Sequence, residues 1–473
     1  MRRCGAGEAA GSVRCVATNS DAHYDLIIIG SGSANSLITP ELDDWSIALV
    51  EEGVFGGTCL NVGCIPTKMY VYPADVAHKA AHSGRLGLTE EQLRADWPAI
   101  RDRVFGRIDP IAAGGRDYRL TGTPNVTLYE THAEFVAPRT LRLASGKTIT
   151  GDRVVIATGS RPLIPPPIAE ADVPFHTSNT IMRIPELPRR LVIVGAGYIA
   201  AEFAHVFSSF GTEVTVVARS SLLREQDEEV SRRLTDLVRD AWHLRTGVEV
   251  TAISGTTGDI TVELSDGSNV SADDILVAAG RVPNTDRLGL DKAGVEQHPD
   301  GRVRVDEYQR TSADGVFALG DVSSDYQLKH VANHETRVLA HNLAHPDDLH
   351  ASDHRFVPAA VFTYPQLASV GLTEKQAQAS GRPYVTVVQD YASVAYGWAM
   401  EDTTSFCKLL ADPGTGQLLG AHIMGEQAST LIQPLVQAMS FGLGVRDMAR
   451  GQYWIHPALT EIVENALLAL ELD

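Results

Sequence analysis

The sequence predicts an α/β chain joined to an α+β C-terminal part, with two Rossmann-like dinucleotide-binding units ahead of a domain of different pattern. Three observations carry this reading. A short apolar run, Leu26 to Ile29, leads straight into Gly30-Ser31-Gly32, and a second run, Ile47 to Val50, ends in Glu51. The same strand–glycine–helix–strand grammar returns when Leu191 to Val194 leads into Gly195-Ala196-Gly197 and Val214 to Val217 follows. Beyond about Arg355 the pattern changes to shorter alternating strands, such as Gln417 to Met424, and helices, with no glycine fingerprint.

Taken in order, residues 1–23 read as a flexible leader. Met1-Arg2-Arg3 looks like the start of an export signal, but Cys4 to Asp21 contains no apolar h-region. Ordered structure is expected to start at Tyr24. Gly30 and Gly32 let backbone N–H groups approach a pyrophosphate, and Glu51, about 20 residues on, can accept ribose hydroxyls. The third fingerprint position is Asn35, and Pro40 cuts the following helix short. Three further apolar strands end in glycine: Val154 to Gly159, Ile275 to Gly280, and Val316 to Gly320 with Asp321 beyond. Ligands sit at such carboxyl ends, where glycine permits close backbone approach. Pro162 to Pro167 reads as a linker. The expected division is therefore 24–162 and 286–354 for one dinucleotide-binding domain, 163–285 for the other, and 355–473 for the last.

The second unit, Gly195-x-Gly197-x-x-Ala200, fits the fingerprint fully, yet its second strand ends in Ala218-Arg219 rather than an acid, with Arg224 close by. Losing the carboxylate and gaining two guanidiniums favours a 2′-phosphate, hence NADPH over NADH. The alternative is that Arg219 and Arg224 are solvated surface charges.

Composition excludes other classes. A chain of 473 residues has room for roughly three domains. With 40 Lys+Arg against 59 Asp+Glu, a net −19, neither nucleic acid nor an anionic membrane is a natural partner. Five cysteines are too few for a disulfide scaffold, and no apolar stretch approaches the roughly 18 residues of a membrane span. A soluble, cytoplasmic protein is expected, with no metal site.

Cys59 and Cys64 stand out, in Gly56-Gly57-Thr58-Cys59-Leu60-Asn61-Val62-Gly63-Cys64-Ile65-Pro66-Thr67-Lys68. A bare C-x4-C can be two unrelated thiols. Five helical steps rise about 7.5 Å, beyond the usual Cα separation of a disulfide, so a bridge needs a distorted turn that Asn61, Gly63 and Pro66 permit. A thiol near a helix N-terminus has a lowered pKa, and in a reducing compartment such a pair is catalytic more often than structural. Cys407, in Phe406-Cys407-Lys408, reads as a small core hydrophobe. Cys4 and Cys15 match no motif.

That stretch resembles the redox-active segment of the pyridine nucleotide–disulfide oxidoreductases. So do Ala157-Thr158-Gly159-Ser160-Arg161-Pro162, Gly280-Arg281-Val282-Pro283-Asn284, Ala318-Leu319-Gly320-Asp321, and His456-Pro457 with Glu461. The resemblance implies FAD held by Gly30, Gly32 and Glu51, with Asp321 on the ribityl chain. It carries Gly57, Thr58, Thr158, Gly159, Gly280 and Arg281 over as cofactor contacts. Lys68 and Glu202 would pair beside the flavin, and Tyr198 would gate the nicotinamide pocket. Cys64 would be the charge-transfer thiolate and Cys59 the thiol that attacks the substrate disulfide. His456, oriented by Glu461, would be the acid–base reaching the partner subunit's cysteines, making the C-terminal domain a dimerisation domain and the enzyme a homodimer. Lys329-His330 departs from the Thr-Pro usual in the family and puts a cation near the flavin; the alternative is that His330 merely packs or caps a helix.

Within the family, the absent acid after Val217 argues against an NAD enzyme of the lipoamide type. The C-terminus lacks a cysteine pair, and Ser36 to Thr39 offers no cation for glutathione carboxylates. Cys64 to Met69, Arg103 to Pro110, Lys329 to Glu335, Tyr396 to Asp402 and Gly451 to His456 resemble the branch acting on the disulfide of the sugar thiol mycothiol. Arg103 to Pro110 reads equally as a core helix. The alternatives left open are a reductase of another small disulfide, such as glutathione disulfide or lipoamide, and an electron-transfer diaphorase.

Overall fold

A computed structural model of the chain describes residues 22–89 and 93–473. Residues 1–21 of the expected leader, Cys4 and Cys15 among them, lie outside the described residues. Ala22 and His23 do not belong to a leader, because they already pair with Ile149 and Thr150 in the first sheet.

That sheet grows from β1 (Ala22–Ile29), with β2 (Ile47–Glu51) parallel on one side and β3 (Val126–Glu130) beyond it. On the other side lie β4 (Thr148–Ile156) and then Val316–Ala318, both parallel. The last strand arrives from far down the sequence, so this domain is split in the chain. Leu26 to Ile28 are fully buried, as a strand covered on both faces requires. No α-helix joins β1 to β2. Two 3-10 turns do so, Ser33–Leu37 and Pro40–Leu42, with Thr39 extended between them at φ −102° and ψ 164°. Pro40 disfavours the α region at Thr39 and lacks the N–H a continuing helix would use.

Beyond β2 come α1 (Gly57–Asn61), α2 (Cys64–Ala81) and α3 (Trp97–Asp117). Arg103 to Pro110 lies within α3, which buries Val104, Phe105 and Ile108 and serves as a core helix.

In the second domain β5 (Arg190–Val194) lies between β6 (Glu213–Ala218) and β7 (Asp274–Val277), all parallel. Here the glycine turn does open a full helix, α4 (Tyr198–Ser209), and α5 (Glu228–Val238) follows β6. The polyproline linker is anchored at its start, where Ser160–Pro162 pairs antiparallel with Arg281–Pro283. The long helix α6 (Lys329–Ala344) closes the return to the first domain.

The C-terminal domain is a five-stranded antiparallel sheet in the order Ala359–Val361, Gln366–Gly371, Leu418–Gly425, Phe406–Ala411, Val385–Asp390. The alternation expected around Gln417 to Met424 is corrected: all eight residues of Leu418–Gly425 are buried. The strand is central, and both its faces are covered. Met424 and Phe406 join the core around α4, while Ile423 and Cys407 join the core under the C-terminal helices, including α7 (Thr460–Leu468). Cys407 is fully buried with its thiol pushed up to about 12 by burial, so it is a small core hydrophobe.

One ion pair locks the second domain to the third. Lys408 Nζ donates to Asp227 Oδ1 (2.8 Å) and Glu374 Oε2 (2.6 Å), and Asp227 also caps α5 by accepting from the Glu229 N–H. Lys408 and Asp227 side chains are 5% and 1% exposed, so removing one partner strands a buried charge. Lys408→Met is expected to lower stability by about 3 kcal/mol in urea denaturation, and adding Asp227→Asn should recover part of it. A Lys408→Met protein as stable as the parent contradicts this.

Candidate active site

A cavity of about 1790 Å³ is lined by residues of both dinucleotide domains and of the C-terminal sheet. It exceeds the roughly 300–1,000 Å³ of a single-ligand pocket. Every residue that the sequence reading assigned to a cofactor lines it, from Gly30 and Glu51 through Asp321 and His330 to Arg219 and Arg224.

Both glycine turns are forced by the same close approach. A Cβ on Gly30 would stand 2.3 Å from the Ala157 carbonyl oxygen, and one on Gly195 would stand 2.1 Å from the Ala278 carbonyl oxygen. Gly57, at φ +71°, packs on Gly32 so tightly that its Cβ would meet the Gly32 Cα at 2.6 Å. Backbone therefore lines the cavity where a pyrophosphate needs N–H groups, and Gly197 caps α4 with open space before it. Glu51 ends β2 with one oxygen accepting from the Ser31 N–H (2.8 Å) and hydroxyl (2.7 Å) and the other from the Gly53 N–H (2.8 Å). The residues present fit two dinucleotides, one per turn.

Three of the distant motifs meet in one chain of bonds. Arg281 donates to the Ser160 hydroxyl (2.7 Å) and carbonyl (2.6 Å), and Ser160 donates to Asp321 Oδ2 (2.6 Å). The Arg281 side chain is 7% exposed, so its guanidinium braces Asp321 rather than standing free in the cavity. Thr158 is likewise tied to Asn284, donating to its carbonyl (2.9 Å) and accepting from its side chain (2.8 Å), while Gly159 and Gly280 turn the backbone at φ +64° and +132°.

The redox cysteines lie where the helix is interrupted. Cys59 is in α1, Val62 and Gly63 break the helix, and Cys64 opens α2. Gly63 has no room for a side chain, since a Cβ would stand 2.9 Å from the Thr58 carbonyl oxygen. Asn61 fixes the break by donating to the Phe55 (2.9 Å) and Gly57 (3.1 Å) carbonyls. Both thiols are free, and they lie close enough to influence one another. The neighbouring Cys64 thiol, the Lys329 ammonium and the N–H groups opening α2 lower the Cys59 thiol against the pull of burial, while the neighbouring Cys59 and burial push Cys64 up.

Lys68, one turn into α2, donates to Glu202 of α4 at 2.6 Å, and the other Glu202 oxygen accepts from the Phe362 N–H. Tyr198 stands beside them at the start of α4, 40% exposed. Arg219 and Arg224 stand on the cavity wall with side chains 77% and 68% exposed, near Glu249 and Glu225. His330 Nε2 donates to the Pro358 carbonyl (2.8 Å). Its neighbour Lys329, expected with it to place a cation near the flavin, donates to Ser33 (2.8 Å) and supplies a cation felt by Cys59. Its departure from Thr-Pro was the available signal. His456 and Glu461 pair at 2.7 Å but do not line the cavity; His456 is 71% exposed, next to the fully exposed Tyr453. A single chain does not bring His456 to the cysteines.

Known proteins match this architecture over nearly the whole chain. Residues 24–336 match the family described as "Pyridine nucleotide-disulphide oxidoreductase", and residues 357–467 match its dimerisation domain. The chain is 55% identical to a mycothione reductase of Mycobacterium tuberculosis, over 94% of this chain and 99% of the relative. A glutathione reductase of Burkholderia cepacia is 32% identical over 93% and 97%. The solved structure of the HOCl-induced flavoprotein disulfide reductase RclA from Escherichia coli superposes with a TM-score of 0.83 at 28% identity, over 94% of this chain and all of that one. The chain belongs to the pyridine nucleotide–disulphide oxidoreductases: it is an FAD- and NADPH-dependent disulfide reductase that works as a homodimer on a small-molecule disulfide.

Proposed function

We propose that the substrate is mycothione, the disulfide of the sugar thiol mycothiol, and that two thiols are the product. The observation that carries this is the 55% identity to a mycothione reductase over nearly the full length of both chains. Mercuric, dihydrolipoyl and glutathione enzymes stand at 31–34%.

The residues divide the work as follows. Gly30, Gly32, Glu51, Gly57, Thr58, Thr158, Gly159 and Asp321 hold FAD, with Arg281 bracing Asp321 and Gly280 turning the strand end. Gly195, Gly197, Arg219 and Arg224 would hold NADPH, and Tyr198 would gate the nicotinamide pocket. Lys68, paired with Glu202 at 2.6 Å, would lie beside the flavin. When bound, the two cofactors supply a pair of reducing equivalents to the Cys59–Cys64 bridge. Cys59, as thiolate, then attacks one sulfur of the substrate; the substrate S–S bond breaks and a mixed disulfide forms on Cys59. His456 of the partner subunit, oriented by Glu461, protonates the departing thiolate. Cys64 attacks Cys59, re-forming the bridge and releasing the second thiol. The exposed position of His456, away from its own chain's cavity, supports an active site shared across the dimer. The domain limits 24–162 with 286–354, 163–285, and 355–473 belong to this reading. So does a cytoplasmic location, where reduced thiols persist; no described helix is long and apolar enough to cross a membrane.

NADPH-driven turnover of mycothione, glutathione disulfide and lipoamide by one preparation tests the substrate. Mycothione should exceed the other two by at least about a hundredfold in kcat/KM, a difference of about 2.7 kcal/mol. Glutathione disulfide turned over at similar efficiency contradicts the reading. A charge-assisted bond to the 2′-phosphate is worth about 1.5–3 kcal/mol, so Arg219→Ala should raise KM for NADPH by roughly 10- to 100-fold and leave NADH use unchanged. Equal losses with both nucleotides mean that Arg219 does not bind the phosphate.

A further inference from the structure

The far end of α6 carries histidines that the proposed reaction does not use. His341 lies in its last turn and His345 directly follows it, their rings stacked 4.6 Å apart. The chain then doubles back and lays the His350 ring on His341 at 3.7 Å and 9°. Asn342 fixes that return at two points, accepting from the His350 N–H (2.8 Å) and donating to its carbonyl (2.9 Å). The turn also presents Asp348, so that one donor atom from each of His341, Asp348 and His350 lies within 4.8 Å of the others. His341 spends one ring nitrogen on the Asp348 carbonyl (2.8 Å), and His345 spends one on the His341 carbonyl (3.2 Å). The second nitrogen of each has no hydrogen-bond partner among the described residues.

Face-to-face imidazoles beside a carboxylate, on an open surface, bury little apolar area. Their donor set is the one that suits zinc and its neighbours: neutral ring nitrogens with a carboxylate oxygen. Ligand bonds of about 2.0–2.1 Å place donor atoms about 3.3 Å apart around a tetrahedral ion, which small side-chain rotations reach from the present spacing. The C-terminal carbonyls of α6 add a field that favours a cation. We propose that His341, Asp348 and His350 bind one divalent ion of the zinc class and tie the 346–350 turn to α6. No metal is expected from the sequence; the spacing H-x3-H-x2-D-x-H shows four metal-ligating residues but not which of them the turn folds together. Twelve helical residues separate His341 from Lys329, about 18 Å, so the site is distinct from the redox pair.

Calorimetric titration of zinc chloride into the oxidised holoenzyme tests this. The expected result is saturable binding of one ion per chain that His341→Gln and His350→Ala each weaken at least tenfold. The Cys59→Ser/Cys64→Ser protein should bind as the parent does. Melting temperatures without zinc identify any variant that has lost its fold, and His350, on the exposed turn, provides the safer replacement. Absence of saturable binding up to millimolar zinc overturns the proposal. Binding that survives both histidine replacements, or that vanishes with the cysteines, overturns it as well.

Discussion

The break between α1 and α2 is the constraint on which the active site depends. At Gly63 the chain passes so close to the Thr58 carbonyl and the Cys59 backbone that no side chain fits. An unbroken helix would hold Cys59 and Cys64 about 7.5 Å apart along its axis. With the break, the two thiols meet, and Cys64 becomes the first residue of α2, where free N–H groups favour a thiolate next to it. The same start of α2 sets the phase of Lys68, which reaches Glu202 on α4 and so couples the redox segment to the second domain. One missing Cβ thus fixes both the sulfur chemistry and its electrostatic surroundings.

A second constraint is repeated. In each dinucleotide domain the first glycine lies against a carbonyl at the end of a neighbouring strand, Ala157 for Gly30 and Ala278 for Gly195. That contact bends the backbone toward the sheet edge and leaves the following N–H groups facing the cavity. The two domains then diverge. The second opens a regular helix at its turn, whereas the first passes through short 3-10 turns before Pro40. Glu51 and the pair Arg219 and Arg224 close the equivalent positions with opposite charge, which separates a ribose hydroxyl site from a phosphate site.

Much of this was legible in the sequence because it rests on local rules: apolar runs ending in glycine, an acid at the right distance, a cysteine pair around Gly63. Features made by long-range packing were not. The strand Leu418–Gly425 reads as half-exposed, yet it is buried on both faces because α4 and the C-terminal helices lie on opposite sides of its sheet. Arg281 reads as a cofactor contact; it lines the cavity, and its guanidinium is also tied to Ser160, across the point where the chain leaves and re-enters the first domain. Lys329 acts on Cys59 only because α6 is brought against the first glycine turn through Ser33. His456 and Glu461 pair within the chain, yet their distance from the cavity is a matter of assembly, which no local motif encodes.

The central claim is that Cys59 is the sulfur that attacks substrate, its thiol lowered by its position beside Cys64, the Lys329 charge and the start of α2. The most direct test is the rate of iodoacetamide alkylation of Cys59 in the reduced enzyme as a function of pH, with the modified site read by peptide mass spectrometry. Cys59 should be modified first, with its rate rising at a pH below the ordinary thiol value. A midpoint at the ordinary thiol value of about 8.5, or preferential modification of Cys64, would contradict it.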